Sequence, residues 1–568
     1  MLFGPYKNQG WKMKKHFFLS TMIILFAFIL YITGIKWGLP DASISMFLPQ
    51  QIEVSDEYVK SSWQISKDRQ HEKLPRSIFN PIRSFHPDEQ IILKSIAAMN
   101  VEKFDFNPHY FEYPSAQIYL VAITLKVLSI SGIINLTSDI SYYYESPEEM
   151  AKIYLAGRIL TVIIATLGLI VFLSIGKVLC GKNGSLFALA AFAFSPLYVI
   201  NSHYMTVDIP AVFWMIVSFY FAVFFLQKRK IYLSFLSALF AGIASGTKYP
   251  VGIIIFILPF VYRNVFNDSF SRFLRMTIVS FLIFFAGFFI TTPYSLVSFH
   301  EFKRDIFYQA GARGIGAGVF SNLLSFPYEL LSSLWVGIFL MVVFFIPGIF
   351  VQARRRNLSD RLILTCIVLS MAPLMITGGF KYTRYYLPLL PFLCLSAGSL
   401  FDDFLKIKYK YIRYCAILLS LFLLIGPSIK SSAYSSLMTR KDIRLIAAEY
   451  VDDNIPQHTR IVFTKDPWIF EVPPVNPLKY SIYVIPEEDL EMVPSGSYLI
   501  IGELQYFLTS GNRNREMAQK IELIPKKGFI LEKVFTVYAH FGPIYFDEKW
   551  TIHDMLYTHP RILLFQKS

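Results

Sequence analysis

Two adjacent carboxylates, Asp88 and Glu89, follow His86 and Pro87 well inside the chain. Such a pair can supply a general base for a hydroxyl. It also fits ordinary first-turn helix acids placed after a proline, where the macrodipole favours them. A third acid, Asp208, stands where an apolar run begins, in Asn201-Ser202-His203-Tyr204-Met205-Thr206-Val207-Asp208-Ile209-Pro210. It fits either a functional carboxylate or a cap ahead of Pro210. Three cations stand out beside these acids. Lys248, followed by Tyr249, is the single charge within Ala241–Phe260. Arg384, followed by Tyr385 and Tyr386, opens another apolar run just after Lys381. Arg158 lies near the start of a third and also fits a snorkelling side chain. Carboxylates and cations gathered on one face would provide a base that activates a hydroxyl and clamps that hold a phosphate leaving group.

The elements that must position these residues are membrane helices. The chain has 568 residues, 54% hydrophobic and 17% charged, whereas soluble domains run near a quarter charged. It is also far too apolar for a disordered chain. The net charge of +14 does not point to nucleic acid, because the basic residues form short clusters between apolar runs rather than one basic face. Four cysteines cannot make a disulfide framework, and Cys366, Cys394 and Cys415 lie within apolar stretches with Cys180 at the end of one.

A membrane helix needs about 20 mostly apolar residues. The first candidate is Phe17–Ile35, after Lys12, Lys14 and Lys15, and reads as an uncleaved span with the N-terminus inside. Further spans are expected near 154–176, 185–201, 209–226, 231–246, 250–264, 273–292, 327–352, 361–379, 385–403 and 412–428, eleven in all. With residues 36–153 outside, every inner connection is basic, from Lys177 and Lys182 through Arg354, Arg355 and Arg356 to Lys406, Lys408, Lys410 and Arg413. Counting Ser115–Ile134 as a span would invert that pattern, so it is expected to lie along or dip into the outer surface. The fold expected is therefore a polytopic α-helical membrane protein, N-in and C-out: a transmembrane domain over residues 1–428 with a long first outer loop, and a soluble extracytoplasmic α/β domain over 429–568. In the tail a helical pattern begins at Ile443, and short β-rich runs follow at Arg460–Thr464, Ser481–Ile485, Ser497–Ile501, Ile530–Tyr538 and Arg561–Phe565. Gly311, Gly314, Gly316 and Gly318 loosely echo a dinucleotide loop but lack a strand–turn–helix context, so a loop is expected there.

On this topology all the chemistry-bearing residues fall on the outer side. Their order and spacing resemble those of polyprenyl-phosphate-dependent glycosyltransferases of the GT-C superfamily, in particular glycosyltransferase family 39 (protein O-mannosyltransferase-like) and its lipid A aminoarabinose transferase relatives. The residues that carry the resemblance are His86-Pro87-Asp88-Glu89, Asn107-Pro108-His109-Tyr110-Phe111-Glu112-Tyr113-Pro114-Ser115, Gly157-Arg158-Ile159-Leu160, Ser195-Pro196 leading to Asp208, Gly246-Thr247-Lys248-Tyr249 and Arg384-Tyr385-Tyr386-Leu387-Pro388, over roughly residues 10–430. The family's double proline after the aromatic is Pro114-Ser115 here.

The resemblance implies a mannose-like hexose or modified pentose carried on dolichyl or undecaprenyl phosphate. The sugar would pass with inversion to a hydroxyl of an acceptor protein, lipid or glycan on the outer side of the cell (plasma) membrane. It makes Asp88 the catalytic base, with Glu89 beside it. Asp208 becomes the second acidic position, which orients the acceptor or, with Asp88 and His203, holds a divalent metal. Lys248 and Arg384 then become the cations at the carrier phosphate, with Tyr249, Tyr385 and Arg158 as further donor-phosphate contacts. No cofactor is otherwise implied, and membrane lipids rather than nucleic acid are the expected surroundings. A single-subunit oligosaccharyltransferase is disfavoured because no Trp-Trp-Asp signature occurs. The alternative from another class is a polytopic lipid or sugar transporter or flippase, which would carry internal repeats and mid-membrane charges.

Overall fold

The computed structural model describes residues 6–41, 44, 82–266, 269–312, 314, 319–378, 381–476, 479–506, 519–546 and 553–568. Gly316 and Gly318 of the expected glycine loop, and part of the expected first outer loop, lie outside these residues. Two compact units result. The first comprises Met1–Ile32, Tyr110–Tyr119 and Leu160–Ser432, and the second Thr33–His109, Leu120–Ile159 and Ala433–Ser568. The chain passes into the second unit for the last time at Ala433.

Among the described residues, six helices are long and apolar enough to cross a membrane: Lys15–Ile32, Pro147–Leu179, Asp208–Lys228, Phe270–Thr291, Leu358–Ile376 and Lys410–Leu437. With its several apolar helices the chain is a multi-pass membrane protein. The other five expected spans are helical but short or broken. The 185–201 span divides into Gly181–Ala193 and Pro196–Asn201 at Ser195, where proline cannot continue the preceding helix. The 327–352 span divides into Val319–Ile338 and Val342–Arg355. Ile231–Ser245 and Leu390–Leu405 have 15 and 16 residues, and the 250–264 span is a 3-10 stretch, Tyr249–Phe256, running into Ile257–Val265. The ambiguous 115–134 segment is a 15-residue helix, Ala116–Ile130.

In the first unit Ile231–Ser245 packs between Asp208–Lys228 and Phe270–Thr291. The contact with the latter is made backbone to backbone. A Cβ at Gly242 would stand 2.1 Å from the Phe284 carbonyl oxygen, and one at Gly287 would stand 2.5 Å from that of Leu239. Only glycine permits this approach. The helix ends at Gly246, Lys248 is extended with φ −152°, and Pro250 opens the 3-10 stretch. In a membrane protein, non-helical backbone among apolar helices is tolerated where it lines a cavity.

In the second unit the tail forms a five-stranded mixed sheet. Its strands are β1 (Arg460–Phe463), β2 (Ser481–Val484), β3 (Tyr498–Gly502), β4 (Phe529–Phe535) and β7 (Ile562–Lys567), in the order β2-β1-β3-β7-β4. β1 is parallel to β2 and β3, while β7 runs antiparallel to β3 and β4. A small hairpin, β5 (Ala539–Phe541) and β6 (Ile544–Phe546), stands apart from it. Alternate side chains leave opposite faces. Ile461, Phe463, Ile500, Ile562 and Leu564 therefore pack with Ile443, Ala447 and Val451 of the helix Ile443–Asn454. Val462, Leu499, Ile501, Leu563 and Phe565 form the core of the other face with Leu490 and Phe529.

Candidate active site

The first unit contains a cavity of about 260 Å³ whose lining combines three kinds of group. Charged side chains come from Asp208, Lys248, Arg384 and Glu112, and aromatic ones from Tyr113, Tyr249 and Tyr385. The wall includes Met215, Val251, Ile253, Ile254, Leu369 and Leu374. Asp208 is the first residue of its helix and nearly buried, 4% exposed. Lys248 reaches it from the helix break, its Nζ donating to Asp208 Oδ1. Arg384 sits in the 3-10 turn Thr383–Tyr386, with Nε 3.9 Å from Asp208 Oδ2. Aromatic faces hold both cations: Lys248 Nζ lies 4.8 Å from the Tyr385 ring centroid, and Arg384 Cζ 4.4 Å from that of Tyr382. Lys248 and Arg384 place two positive charges around the Asp208 carboxylate, so that corner of the cavity is locally positive and favours an anion, while Glu112 brings a further negative charge to the lining. Four of the five expected donor-phosphate residues, Lys248, Arg384, Tyr249 and Tyr385, line this one cavity together with Asp208.

The fifth does not. Arg158 belongs to the second unit, where it makes a bidentate pair with Glu89, Nε to Oε1 and Nη2 to Oε2, each at 2.7 Å. Both side chains are fully buried. Arg158 Nη1 also donates to the carbonyls of Ile35 and Trp37 at 2.7 Å each, and the Ser84 hydroxyl donates to Glu89 at 2.6 Å. Burial alone would raise the Glu89 pKa, but the Arg158 charge and hydrogen bonds outweigh it and hold the carboxyl below its usual range. Glu89 and Arg158 are thus brought together as a buried pair, apart from the lining of the cavity.

Asp88 is half-buried in the first turn of the helix Pro87–Ala97. His86 caps that helix, its Nδ1 accepting from the Asp88 N–H at 3.3 Å, and its ring packs edge-on against Tyr557 at 5.0 Å. The neighbouring Phe85 is held by a fully buried arginine that the sequence did not single out. Arg444 Cζ lies 4.3 Å from the Phe85 ring centroid and 5.5 Å from that of Trp37, and the guanidinium pairs with Asp442 at 2.6 Å. Arg444 also donates to the carbonyls of Phe470 and Tyr557, while the Trp37 indole donates to Asp442 at 2.9 Å. Gly38, at φ +60°, completes the packing, since a Cβ there would meet Phe85 Cβ at 2.6 Å. The tail domain and the Asp88 loop are thus one packed body.

His203, the third expected metal ligand, is buried, and its Nδ1 donates to the Val199 carbonyl one turn earlier, 2.8 Å away. Among the described residues no group of three or more His, Cys, Asp or Glu side chains is placed to hold a metal ion.

Comparison with known proteins finds one family model that matches part of the chain. Residues 151–296 match the dolichyl-phosphate-mannose-protein mannosyltransferases, a stretch that contains Arg158, His203, Asp208 and Lys248. Solved structures show only a loose likeness to the chain. ArnT from Cupriavidus metallidurans in the apo state aligns at TM-score 0.43 and 12% identity over 98% of both chains. The Archaeoglobus fulgidus oligosaccharyltransferase in the apo form aligns at TM-score 0.44 and 12% identity, over 90% of this chain and 69% of that one. Its complex with Zn and sulfate aligns at TM-score 0.41 and 13% identity over 65% of this chain, which spans just 55% of that chain's length. No curated protein matches the chain.

Proposed function

We propose that this chain is an inverting glycosyltransferase of the outer membrane face that moves a sugar from a polyprenyl-phosphate carrier to an acceptor hydroxyl. The observation that carries the reading is the cavity itself, with Lys248 and Arg384 beside Asp208 and an apolar wall in one enclosure. A polyprenyl phosphate is a chain of apolar isoprene units ending in an anion, and this lining offers a surface for each. In the transfer, the acceptor oxygen attacks the anomeric carbon, the bond from that carbon to the phosphate oxygen breaks, and the carrier phosphate leaves with the electron pair. Lys248 and Arg384 stabilise the charge that builds on its oxygens. Asp208 keeps the two cations at the phosphate, a role that differs from the acceptor-orienting one implied by the resemblance. Asp88 takes the acceptor proton as general base, a role that rests on the family resemblance. We place the protein in the plasma membrane with eleven spans, the N-terminus inside and residues 429–568 outside, on the basic inner loops.

The test is purification in native lipid followed by mass spectrometry of the bound lipids. A co-purifying polyprenyl-phosphate sugar supports the proposal. Recovery of ordinary phospholipids alone, with no transfer from any added polyprenyl-phosphate sugar, would overturn it.

A further inference from the structure

The cavity holds a third kind of chemistry that neither the phosphate nor the prenyl chain uses. Glu112 and Gln309 both line it, in company with Lys248 and Arg384. Gln309, on the helix Phe299–Ala312, donates its side-chain N–H to Glu112 Oε2. The backbone on either side of Glu112 is tied down. The Phe111 N–H donates to the buried Asp305 carboxylate at 2.8 Å, the Phe111 carbonyl accepts from the Tyr249 hydroxyl at 2.8 Å, and the Ala116 N–H donates to the Gly246 carbonyl at 2.9 Å. The last two bonds run to residues that flank Lys248 in sequence, so Glu112 is fixed relative to the cation proposed to hold the phosphate. A pre-positioned polar group of this kind confers specificity, because its geometry is set before the ligand arrives.

We infer that Glu112, oriented by Gln309, reads the hydroxyls of the donor sugar. This rests on the polyprenyl-phosphate reading and extends it from the phosphate to the sugar. A carboxylate accepts hydrogen bonds and donates none, with room for several partners on its two oxygens. The phosphate has no O–H to give in its diester form and the prenyl chain has no polar atoms, so the sugar is the part of the donor that can supply donors to Glu112. A site built to bond a substrate hydroxyl discriminates against an analogue lacking it, since the hydrogen bond is then not made while the ligand still displaces water from the site. Glu112 therefore sets which sugar is accepted, while Lys248 and Arg384 set that the carrier is a phosphate.

The experiment uses full-length protein in lipid nanodiscs. Affinities are measured for undecaprenyl phosphate and for its mannose, glucose and galactose esters, with the parent, Glu112→Ala and Gln309→Leu. The parent should rank the three sugars. Glu112→Ala should weaken the best of them by about tenfold or more, the loss expected for hydrogen bonds to a charged group. It should flatten the ranking without weakening undecaprenyl phosphate, since removing a carboxylate from a cavity that also holds Lys248 and Arg384 does not loosen an anion. Gln309→Leu should shift the ranking in the same direction by less. The inference is overturned if the parent does not distinguish the sugars, if Glu112→Ala keeps the ranking, or if it weakens the bare phosphate and the sugar esters alike. A parent that binds none of the four lipids would instead defeat the donor reading, and this inference with it.

Discussion

Replacing Arg158 by methionine should destabilise the protein severely. The pair it makes with Glu89 is fully buried on both sides, with two hydrogen bonds of 2.7 Å between the charges and two more from Arg158 to backbone carbonyls. Breaking a buried pair by removing one partner costs about 3–5 kcal/mol, because the other charge is left uncompensated. The carbonyls of Ile35 and Trp37 lose a charged donor as well, at about 1–3 kcal/mol for each buried group left unsatisfied. A total of roughly 5 kcal/mol or more is comparable with the whole stability of many folded domains. The double variant Arg158→Met with Glu89→Met buries no charge and should recover a large part of that loss. The assay is a double-mutant cycle on purified full-length protein in detergent, with melting temperature and polyprenyl-phosphate affinity measured on the same preparations. A single variant that melts with the parent but binds the lipid phosphate more weakly would refute the reasoning and return Arg158 to the donor site. A double variant no more stable than the worse single one would show that the pair is not coupled.

Three further outcomes follow from the second unit. Because the Glu89 carboxyl is held below its usual pKa in the folded state, its stabilisation is complete at neutral pH and is lost as pH falls through the folded value. Melting temperature should therefore hold down to about pH 5 and drop below about pH 4, and Glu89→Gln should lose this part of the acid limb. Asp88→Asn should lower transfer by roughly 10²–10⁴-fold with an unchanged melting temperature; near-parental transfer would remove Asp88 as the base. Arg444→Leu leaves Asp442 buried without its cation and unclamps Phe85, so it should cost about 3–5 kcal/mol and make the tail more sensitive to proteolysis than in the parent.

What the sequence shows and what it hides divides along physical lines. Asp208, Lys248 and Arg384 are far apart in the chain, yet each was visible because a charge at the end of an apolar run is costly without a role. That logic identifies the charges but not their partners. It offered snorkelling for Arg158, when the side chain turns inward to an acid 69 residues away. Arg444 carried no signal, because an arginine in a polar tail looks solvated until the tertiary packing closes over it. The short tail strands were legible from their β-branched runs, while the order β2-β1-β3-β7-β4 was not, since pairing order depends on non-local contacts that no local pattern encodes. Helix breaks were half legible: Pro196 and Pro250 mark two of them, but proline cannot say that Lys248 at the second break would meet Asp208.

The central claim is that the cavity grips a lipid phosphate, and the affinity of full-length protein for undecaprenyl phosphate tests it most directly. The parent should bind the lipid. Lys248→Ala and Arg384→Ala should each weaken binding about tenfold or more, and Arg384→Lys should restore little, because a point charge lacks the guanidinium fork. If both alanine variants bind undecaprenyl phosphate as tightly as the parent, and differ from it in melting temperature alone, the two cations merely anchor helix ends and the account is wrong.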